Sequence, residues 1–168
     1  MTNSSFEKNI GIIGLGVLGS AIAENFINKN ISIKGFDINK KVFEKLTSDK
    51  IKAYNSIDKI SSNCNFLITS LPSETSLINV CKSLIKNDNL IIIETSTLPL
   101  DCKLEARNIL LEKNITIFDA PLSGNRIAAL EGKLSAYLSG DYKNKEEIQI
   151  KVLLALFSLI SPNRGPNI

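Results

Sequence analysis

The stretch of residues 10–21 constrains the possible fold of this chain more than any other. Ile10–Ile13 is a short apolar run, typical of a strand that is buried on both faces of a sheet. The run continues without a linker into three glycines spaced Gly-x-Gly-x-x-Gly, at positions 14, 16 and 19. Residues 21–26 then have a composition typical of a helix. A strand, a glycine turn and a helix in immediate succession predict the first unit of a parallel α/β sheet.

The three glycines also predict a kind of ligand. Gly14 permits a tight turn, Gly16 lets a ligand approach the backbone because it has no side chain, and Gly19 lets the helix pack closely on the strand. The first N–H groups of the helix have no partner within it, and the helix dipole places positive charge behind them. Together these features predict a site for the pyrophosphate of a dinucleotide.

An acidic residue follows the second predicted strand. Residues 31–36 alternate as a strand, and Asp37 comes directly after them, at the spacing of roughly 20 residues expected from the glycines. A carboxylate there is placed to accept hydrogen bonds from the adenosine ribose, and it would repel a 2′-phosphate, which favours NAD over NADP. Lys40 and Lys41 nearby leave NADP open. Asp37 could instead be the N-cap of the next helix.

The rest of the chain alternates between strand and helix patterns. Strands are predicted near residues 51–54, 65–71, 90–94 and 115–119, and helices over residues 40–46, 73–84 and 101–111. We therefore predict an α/β fold, a doubly wound, Rossmann-type, mostly parallel sheet with helices on both faces, in one domain over residues 1–168. Residues 134–140 alternate like a strand added at the sheet edge. Residues 141–160 are predicted to form a helix with a very apolar end.

Polar residues and glycines recur at the carboxyl ends of the predicted strands. In parallel sheets these ends share one edge, and ligands bind outside that edge. The residues that should converge there are Gly14, Asp37, Leu71, Ser96, Thr97, Asp119 and Ser123.

Composition argues against several classes of function. The chain is 43% hydrophobic and carries a net charge of +3, which gives no reason to expect nucleic acid as a partner. It has no histidine, and Cys64, Cys81 and Cys102 lack metal-binding spacing, so we predict no metal site and three buried or half-buried thiols. The longest apolar run is far shorter than the roughly 20 residues of a membrane helix. A cytoplasmic location is expected.

Four further motifs follow the glycine turn. They are Phe36-Asp37, Ser70-Leu71-Pro72, Ser96-Thr97-Leu98-Pro99 and Asp119-Ala120-Pro121-Leu122-Ser123-Gly124, the last followed by Gly132-x-Leu134. With these motifs the chain, from residue 9 to about residue 160, resembles the β-hydroxyacid dehydrogenase family. That family includes 3-hydroxyisobutyrate dehydrogenase and the NAD-binding domain of 6-phosphogluconate dehydrogenase. Segment 119–124 is the most specific motif, because it matches the family's substrate-loop signature.

The resemblance implies which residues bind which ligand. The cofactor NAD, with NADP not excluded, would contact Gly14, Leu15, Gly16, Val17, Leu18, Gly19, Asp37, Leu71, Pro72 and Thr97. A small hydroxycarboxylate substrate would contact Ser123, Gly124, Asn125 and Arg126. Two motifs also have plain structural interpretations: Leu71-Pro72 as a strand that ends at a proline, and Ser96-Thr97 as a helix-capping loop.

The chain departs from the family at two points. Where the family usually continues Ser-Gly-Gly, this chain has Asn125-Arg126. Arg126 could clamp a substrate carboxylate or phosphate, or be a solvated surface arginine. The family's catalytic lysine lies at the start of an all-helical second domain, and no lysine of this chain matches it. The resemblance therefore places that lysine beyond Ile168, and no catalytic residue is assigned in this chain.

The leading hypothesis is the NAD(P)-binding domain of an oxidoreductase that transfers hydride between a nicotinamide cofactor and a small 3-hydroxy acid, of the 3-hydroxyisobutyrate or tartronate-semialdehyde type. The resemblance implies a homo-oligomeric parent enzyme and a chain that is inactive by itself. One alternative is a stand-alone, non-catalytic dinucleotide-binding or regulatory module. Another, a methyltransferase-type glycine loop, does not explain Gly19 or the segment 119–124.

Overall fold

A computed structural model describes residues 9–140 and 158–162 of the chain. The strands are β1 Ile10–Ile13, β2 Ile33–Phe36, β3 Ile51–Ala53, β4 Phe66–Thr69, β5 Ile91–Glu94, β6 Thr116–Asp119, β7 Leu122–Ser123, β8 Leu134–Leu138 and β9 Ser158–Pro162. The helices are α1 Val17–Asn28, α2 Ile57–Ser61, α3 Glu74–Ser83, α4 Leu100–Leu111 and α5 Arg126–Leu130. Where a helix was predicted over residues 40–46, Lys40–Glu44 forms a 3₁₀ segment.

The main sheet has six strands in the order β3-β2-β1-β4-β5-β6, and all of its pairings are parallel. The chain crosses from β3 at one edge to β4 beside β1, so the strand order reverses between β1 and β4. In sheets of this kind the crevice at that reversal is where ligands bind. The predicted α/β, Rossmann-type class is confirmed.

Apolar side chains from the two faces of the sheet form two separate cores. On one face Ile12 and Ile68 pack with Ile22 and Phe26 of α1. The other core contains Leu67 and side chains of α2, α3 and α4. This arrangement explains why the central strands are continuous apolar runs, since both of their faces are buried. Cys64, Cys81 and Cys102 are free and lie in the second core, as predicted.

The strand predicted at residues 134–140 forms, but it does not simply extend the main sheet. β8 pairs antiparallel with β7 and parallel with β9, making a second sheet of three strands. A bridge joins the main sheet to this second sheet, and in it Asp119 and Ser139 exchange two backbone hydrogen bonds of 3.0 and 2.8 Å. Pro121 accounts for the break after β6, because proline has no N–H to continue a ladder.

The helix predicted over residues 141–160 is wrong at its end. Residues 141–157 lie outside the described part of the chain, whereas Ser158–Pro162 forms strand β9 along β8. A short apolar run cannot be assigned to helix or strand by periodicity alone, and pairing with β8 decides here. Within residues 9–140, no helix is long and apolar enough to cross a membrane.

Candidate functional site

A groove of about 570 Å³ opens at the carboxyl edge of the six-stranded sheet, where the strand order reverses. Its walls come from the glycine turn, the end of β2, the end of β4 and helix α3. The volume lies in the range typical of small-molecule and cofactor sites. The residues that line it are Ile13, Gly14, Gly16, Val17, Leu18, Phe36, Asp37, Ile38, Asn39, Ile57, Ser70, Leu71, Pro72, Ser76, Asn79, Val80 and Ser83.

The three glycines of the turn have three different surroundings. Gly14 has a φ of +88°, and a Cβ there would lie 2.1 Å from the carbonyl oxygen of Ser70. A Cβ on Gly19 would lie 1.9 Å from the carbonyl oxygen of Gly14, so this glycine is needed for helix α1 to approach the turn itself. A Cβ on Gly16 would meet no atom within 4 Å. Gly14 and Gly19 are therefore required by packing, while Gly16 leaves open space.

The start of helix α1 offers backbone donors to the groove. Gly16 is the N-cap residue and has no side chain to cap the helix, and the bond from Ser20 N to Gly16 O measures 2.9 Å. The N–H groups of Val17, Leu18 and Gly19 precede that bond at the positive end of the helix dipole. Because Gly16, Val17 and Leu18 line the groove, this end of it is suited to an anion.

The Asp37 carboxylate accepts two backbone hydrogen bonds, one of which joins it to the glycine turn. Its Oδ2 accepts from the backbone N–H of Leu15 and its Oδ1 from that of Asn39, both at 2.7 Å. The N-cap of the following 3₁₀ segment is Asn39, so the alternative role of Asp37 as the cap does not apply. Lys40 turns toward the carbonyl of Tyr54 at 3.3 Å, with its ammonium over the Phe36 ring.

Most of the predicted cofactor residues come together around the groove. Seven line it: Gly14, Gly16, Val17, Leu18, Asp37, Leu71 and Pro72. The side chain of Leu15 is buried in the core of the α1 face, so only its N–H faces Asp37. Gly19 lies against Gly14, and Thr97 is exposed and does not line the groove.

Helix α3 contributes groove residues that were not predicted from the sequence. Ser76, Asn79 and Ser83 lie three and four positions apart, which places them on one face of the helix. The signal was present as a polar stripe beside the apolar residues Leu77 and Val80. A stripe of this kind is ordinary on an amphipathic helix, so it does not by itself point to a site.

A buried polar cluster lies beside the groove. Asp119 and Ser96 were predicted at this edge of the sheet, whereas Lys103 and Glu94 were not. Lys103 is only 5% exposed, and its Nζ donates to the carbonyl of Ser96 at 2.7 Å and forms an ion pair with Asp119. Glu94 is 1% exposed and accepts from Ser96 N at 2.8 Å and from the hydroxyl of Thr69. The available signal was a lysine on the buried face of α4.

Burial governs the protonation of both carboxyls in this cluster. It raises the pKa of Glu94, and the hydrogen bonds from Ser96 and Thr69 oppose that rise. It also raises the pKa of Asp119, against the effect of the Lys103 ammonium. Ser96 is not a helix cap, since the N-cap of α4 is Pro99, and its Oγ accepts from Leu71 N at 2.8 Å.

The four predicted substrate residues lie outside the groove lining. Ser123 is exposed on β7, and Gly124 has a φ of +139° with Leu134 packed where a Cβ would be. Asn125 caps α5, because its Oδ1 accepts from Ala128 N at 3.0 Å. Arg126 donates to the Glu24 carboxylate of α1 at 2.8 Å and is 47% exposed.

Comparison with known proteins gives a family match. The family model described as the NAD binding domain of 6-phosphogluconate dehydrogenase matches residues 9–156. Mitochondrial 3-hydroxyisobutyrate dehydrogenase of Drosophila melanogaster is 28% identical, over 83% of this chain and 44% of its own length. For 2-(hydroxymethyl)glutarate dehydrogenase of Eubacterium barkeri the identity is 26%, over 85% and 50%. The chain thus spans about half the length of the curated relatives it matches.

Solved structures share the fold at low sequence identity. The Mycobacterium tuberculosis 3-hydroxyisobutyrate dehydrogenase with L-serine superposes with a TM-score of 0.82 at 17% identity, covering 93% of this chain and 55% of that one. An Aspergillus terreus reductive aminase in complex with NADPH and ethyl-5-oxohexanoate gives 0.85 at 12% identity, with 92% and 54% covered. These similarities support the fold assignment made from the strand order.

Proposed function

This chain belongs to the family of NAD-binding domains found in 6-phosphogluconate dehydrogenase, and from that premise we propose that it is the cofactor half of a dehydrogenase for a small 3-hydroxy acid. The observation that carries the proposal is the groove beside Gly16, where open space, backbone donors and Asp37 converge. The hydroxy acid is inferred from the names of the curated relatives, which favour an enzyme over a non-catalytic module.

The residues around the groove fit a dinucleotide. The absence of a side chain at Gly16 leaves room for a pyrophosphate against the backbone, and the N–H groups of Val17 and Leu18 are placed to donate to it. Asp37 keeps its bond to Leu15 N and still has lone pairs to accept from ribose hydroxyls. Its charge and the withdrawal of Lys40 toward Tyr54 favour NAD over NADP.

When bound, the nicotinamide ring supplies or accepts the hydride. The role proposed for this chain is to bind the cofactor and to orient the cofactor and the substrate. Leu71 and Pro72 would support the cofactor along the groove, and Thr97 would contact it on the nicotinamide side, as the resemblance implies. In this proposal Ser123, Gly124 and Asn125 orient the substrate carboxylate, and Arg126 could join them only by leaving Glu24.

Transfer of hydride to a carbonyl also requires a proton donor at the oxygen. We assign that role to a lysine outside these 168 residues, as the resemblance implies. Lys103, on the buried face of α4, is already bonded to Ser96 and Asp119. We propose that the parent enzyme carries the missing group on an all-helical second domain, that it is a homo-oligomer, and that the present chain does not turn over substrate by itself.

Calorimetric titration of the 168-residue chain with NADH tests the cofactor assignment. We expect saturable binding of one NADH per chain, with weaker binding of NADPH. No heat of binding at millimolar NADH would contradict the proposal. The hydroxy-acid assignment has its own test, in which 3-hydroxyisobutyrate should bind the NAD-saturated chain more tightly than the free chain, with acetate as the matched control for a bare carboxylate.

A further inference from the structure

The cluster of Glu94, Lys103 and Asp119 is a costly arrangement for a protein interior. Moving an ammonium and a carboxylate out of water carries a penalty of several kcal/mol per ion, which their attraction often fails to recover. The neighbours of Lys103 on the buried face of α4 are the small or apolar residues Cys102, Ala106 and Leu110. The hydrogen bonds of the Lys103 ammonium indicate why a lysine is present at this buried position.

What Lys103 holds is Ser96, whose N–H, carbonyl and Oγ each make a hydrogen bond. Ser96 donates its N–H to Glu94 at 2.8 Å, accepts with its carbonyl from Lys103 at 2.7 Å, and accepts with its Oγ from Leu71 N at 2.8 Å. Leu71 lines the groove, and Pro72 follows it. A chain of direct contacts therefore runs from the Lys103 ammonium through Ser96 to the groove wall at the end of β4.

The second partner of the ammonium points toward a different segment. Asp119 ends β6 and begins the segment 119–124 that carries the predicted substrate residues. The space left beside the ion pair measures about 10 Å³, enough for one water molecule at most. The cluster is thus too closed to be a ligand site itself. Its contacts instead fix the positions of the Ser96-Thr97 loop and the segment 119–124.

We propose that Lys103 is a positioning residue that ties the Ser96-Thr97 loop and the Leu71-Pro72 wall to the start of the substrate segment. This inference rests on the proposed function, because it assigns the tied wall to the nicotinamide half of the cofactor. The glycine turn, on the adenosine and pyrophosphate side, has hydrogen bonds that do not involve Lys103: Leu15 N donates to Asp37, and Gly14 N donates to the carbonyl of Phe36 at 3.0 Å.

A comparison of two ligands tests the inference, because only one of them reaches the nicotinamide half of the site. NADH and ADP share the adenosine and pyrophosphate groups, and only NADH reaches the nicotinamide half. Calorimetry on the 168-residue chain should show that Lys103→Met weakens NADH binding about tenfold, while ADP binding changes by less than about twofold. Lys103→Arg keeps a donor and a positive charge, and it should recover part of the NADH affinity.

Lys113→Met is the matched control. Lys113 also bonds to backbone carbonyls, at the C-terminal end of α3, and does not itself line the groove, so its loss should lower stability without a selective loss of NADH affinity over ADP affinity. Should Lys103→Met fail to fold, Asp119→Asn decides, because it preserves the shape and removes only the charge that anchors the ammonium. That variant should weaken NADH binding about threefold with ADP binding unchanged.

Three results would overturn the inference: equal losses of NADH and ADP affinity in the Lys103 and Asp119 variants, no loss of either, or a selective loss of NADH in Lys113→Met. Wild-type chain that bound neither NADH nor ADP would instead refute the proposed function. Thermal unfolding of each variant, recorded alongside, separates a change in affinity from a change in the folded fraction.

Discussion

The helix ends at the two edges of the six-stranded sheet differ in whether the protein itself satisfies their backbone groups. At the carboxyl edge, helix α1 begins at Gly16 with no side-chain cap, and its first N–H groups border a groove. At the other edge, helix α3 ends under Lys113, whose Nζ donates to the carbonyls of Cys81, Lys82 and Leu84 at 2.8, 2.7 and 2.6 Å. One helix end is left available and the other is closed by the chain itself.

This difference separates residues that serve binding from residues that serve stability. A lysine at a helix C-terminus satisfies carbonyls and complements the dipole, so Lys113 contributes stability at its edge of the sheet. The glycine edge instead keeps donors that a ligand can use. The glycine turn shows the same difference. The space where a Cβ would lie is occupied by a backbone atom at Gly19 and is open at Gly16.

The largest effect is expected for Gly19→Ala. The added Cβ would lie 1.9 Å from the carbonyl oxygen of Gly14. Neither atom can move away by a side-chain rotation, so the helix must shift. We expect a loss of about 3 kcal/mol or more in the free energy of unfolding, measured by urea denaturation. A stability close to that of the wild type would mean that the turn is looser than the structure shows.

Lys113→Met should have the next largest effect on stability. The substitution removes an ammonium that bonds to three carbonyls, and the free energy of unfolding should fall by about 2 kcal/mol. NADH binding should show no selective loss relative to ADP binding, because Lys113 itself does not line the groove. Lys86→Met, on an exposed lysine of the loop after α3, is the control and should change stability by less than about 0.5 kcal/mol. Equal losses in the two variants would contradict this role for Lys113.

Gly16→Ala should reverse the pattern of Gly19→Ala. A Cβ at Gly16 meets no protein atom within 4 Å, so stability should change by less than about 1 kcal/mol. The same Cβ would project into the space proposed for the pyrophosphate, and NADH affinity should fall about tenfold or more. Calorimetric titration checks the affinity. An unchanged affinity would show that the pyrophosphate does not approach the backbone at this position.

Asp37→Asn should weaken the preference of the groove for NAD over NADP. The amide oxygen can still accept from Leu15 N, while the charge that repels a 2′-phosphate is lost. The ratio of NADPH to NADH affinity should rise about tenfold, measured by parallel titrations. Asp49→Asn, an acidic residue that does not line the groove, serves as the control. A ratio unchanged from the wild type would remove Asp37 from the specificity assignment.

Local signals were enough to predict much of this molecule. The run Ile10–Ile13, the glycine spacing and the position of Asp37 each depend on residues close together in the chain, and the parallel sheet follows from their alternation. The family resemblance drawn from the later motifs is confirmed by the match over residues 9–156. The edge on which the groove lies was also predictable, because parallel strands bring their carboxyl ends together.

The features that could not be predicted depend on contacts between distant residues. Strand β9 exists because residues 158–162 pair with β8, and its sequence alone also suits a helix. Lys103 looks like one more surface lysine until α4 is packed against the sheet and Asp119 is brought to its ammonium. Similarly, Arg126 was ambiguous until the fold placed Glu24 beside it, more than one hundred positions away in the chain.

The smallest expected effect concerns the pH dependence of stability. Burial raises the pKa of Glu94 above its ordinary value of 4.5, so the folded state holds this proton more tightly than the unfolded state does. The free energy that Glu94 contributes is fully present below pH 4.5 and is lost as pH rises through the raised pKa. Glu94→Gln carries no titrating group, so its stability should fall less than that of the wild type between pH 4.5 and pH 7.5.

Urea unfolding of both proteins at four pH values across that range measures the difference. The groups that face this carboxyl are the Thr69 hydroxyl, the Ser96 N–H and the Lys103 ammonium, all retained in Glu94→Gln, and Asp119 titrates in both proteins. Glu105→Gln, on the exposed face of α4, is the matched control and should follow the wild-type curve. Parallel curves for the wild type and Glu94→Gln would mean that Lys103 and the two hydrogen bonds offset burial, and that Glu94 is charged throughout.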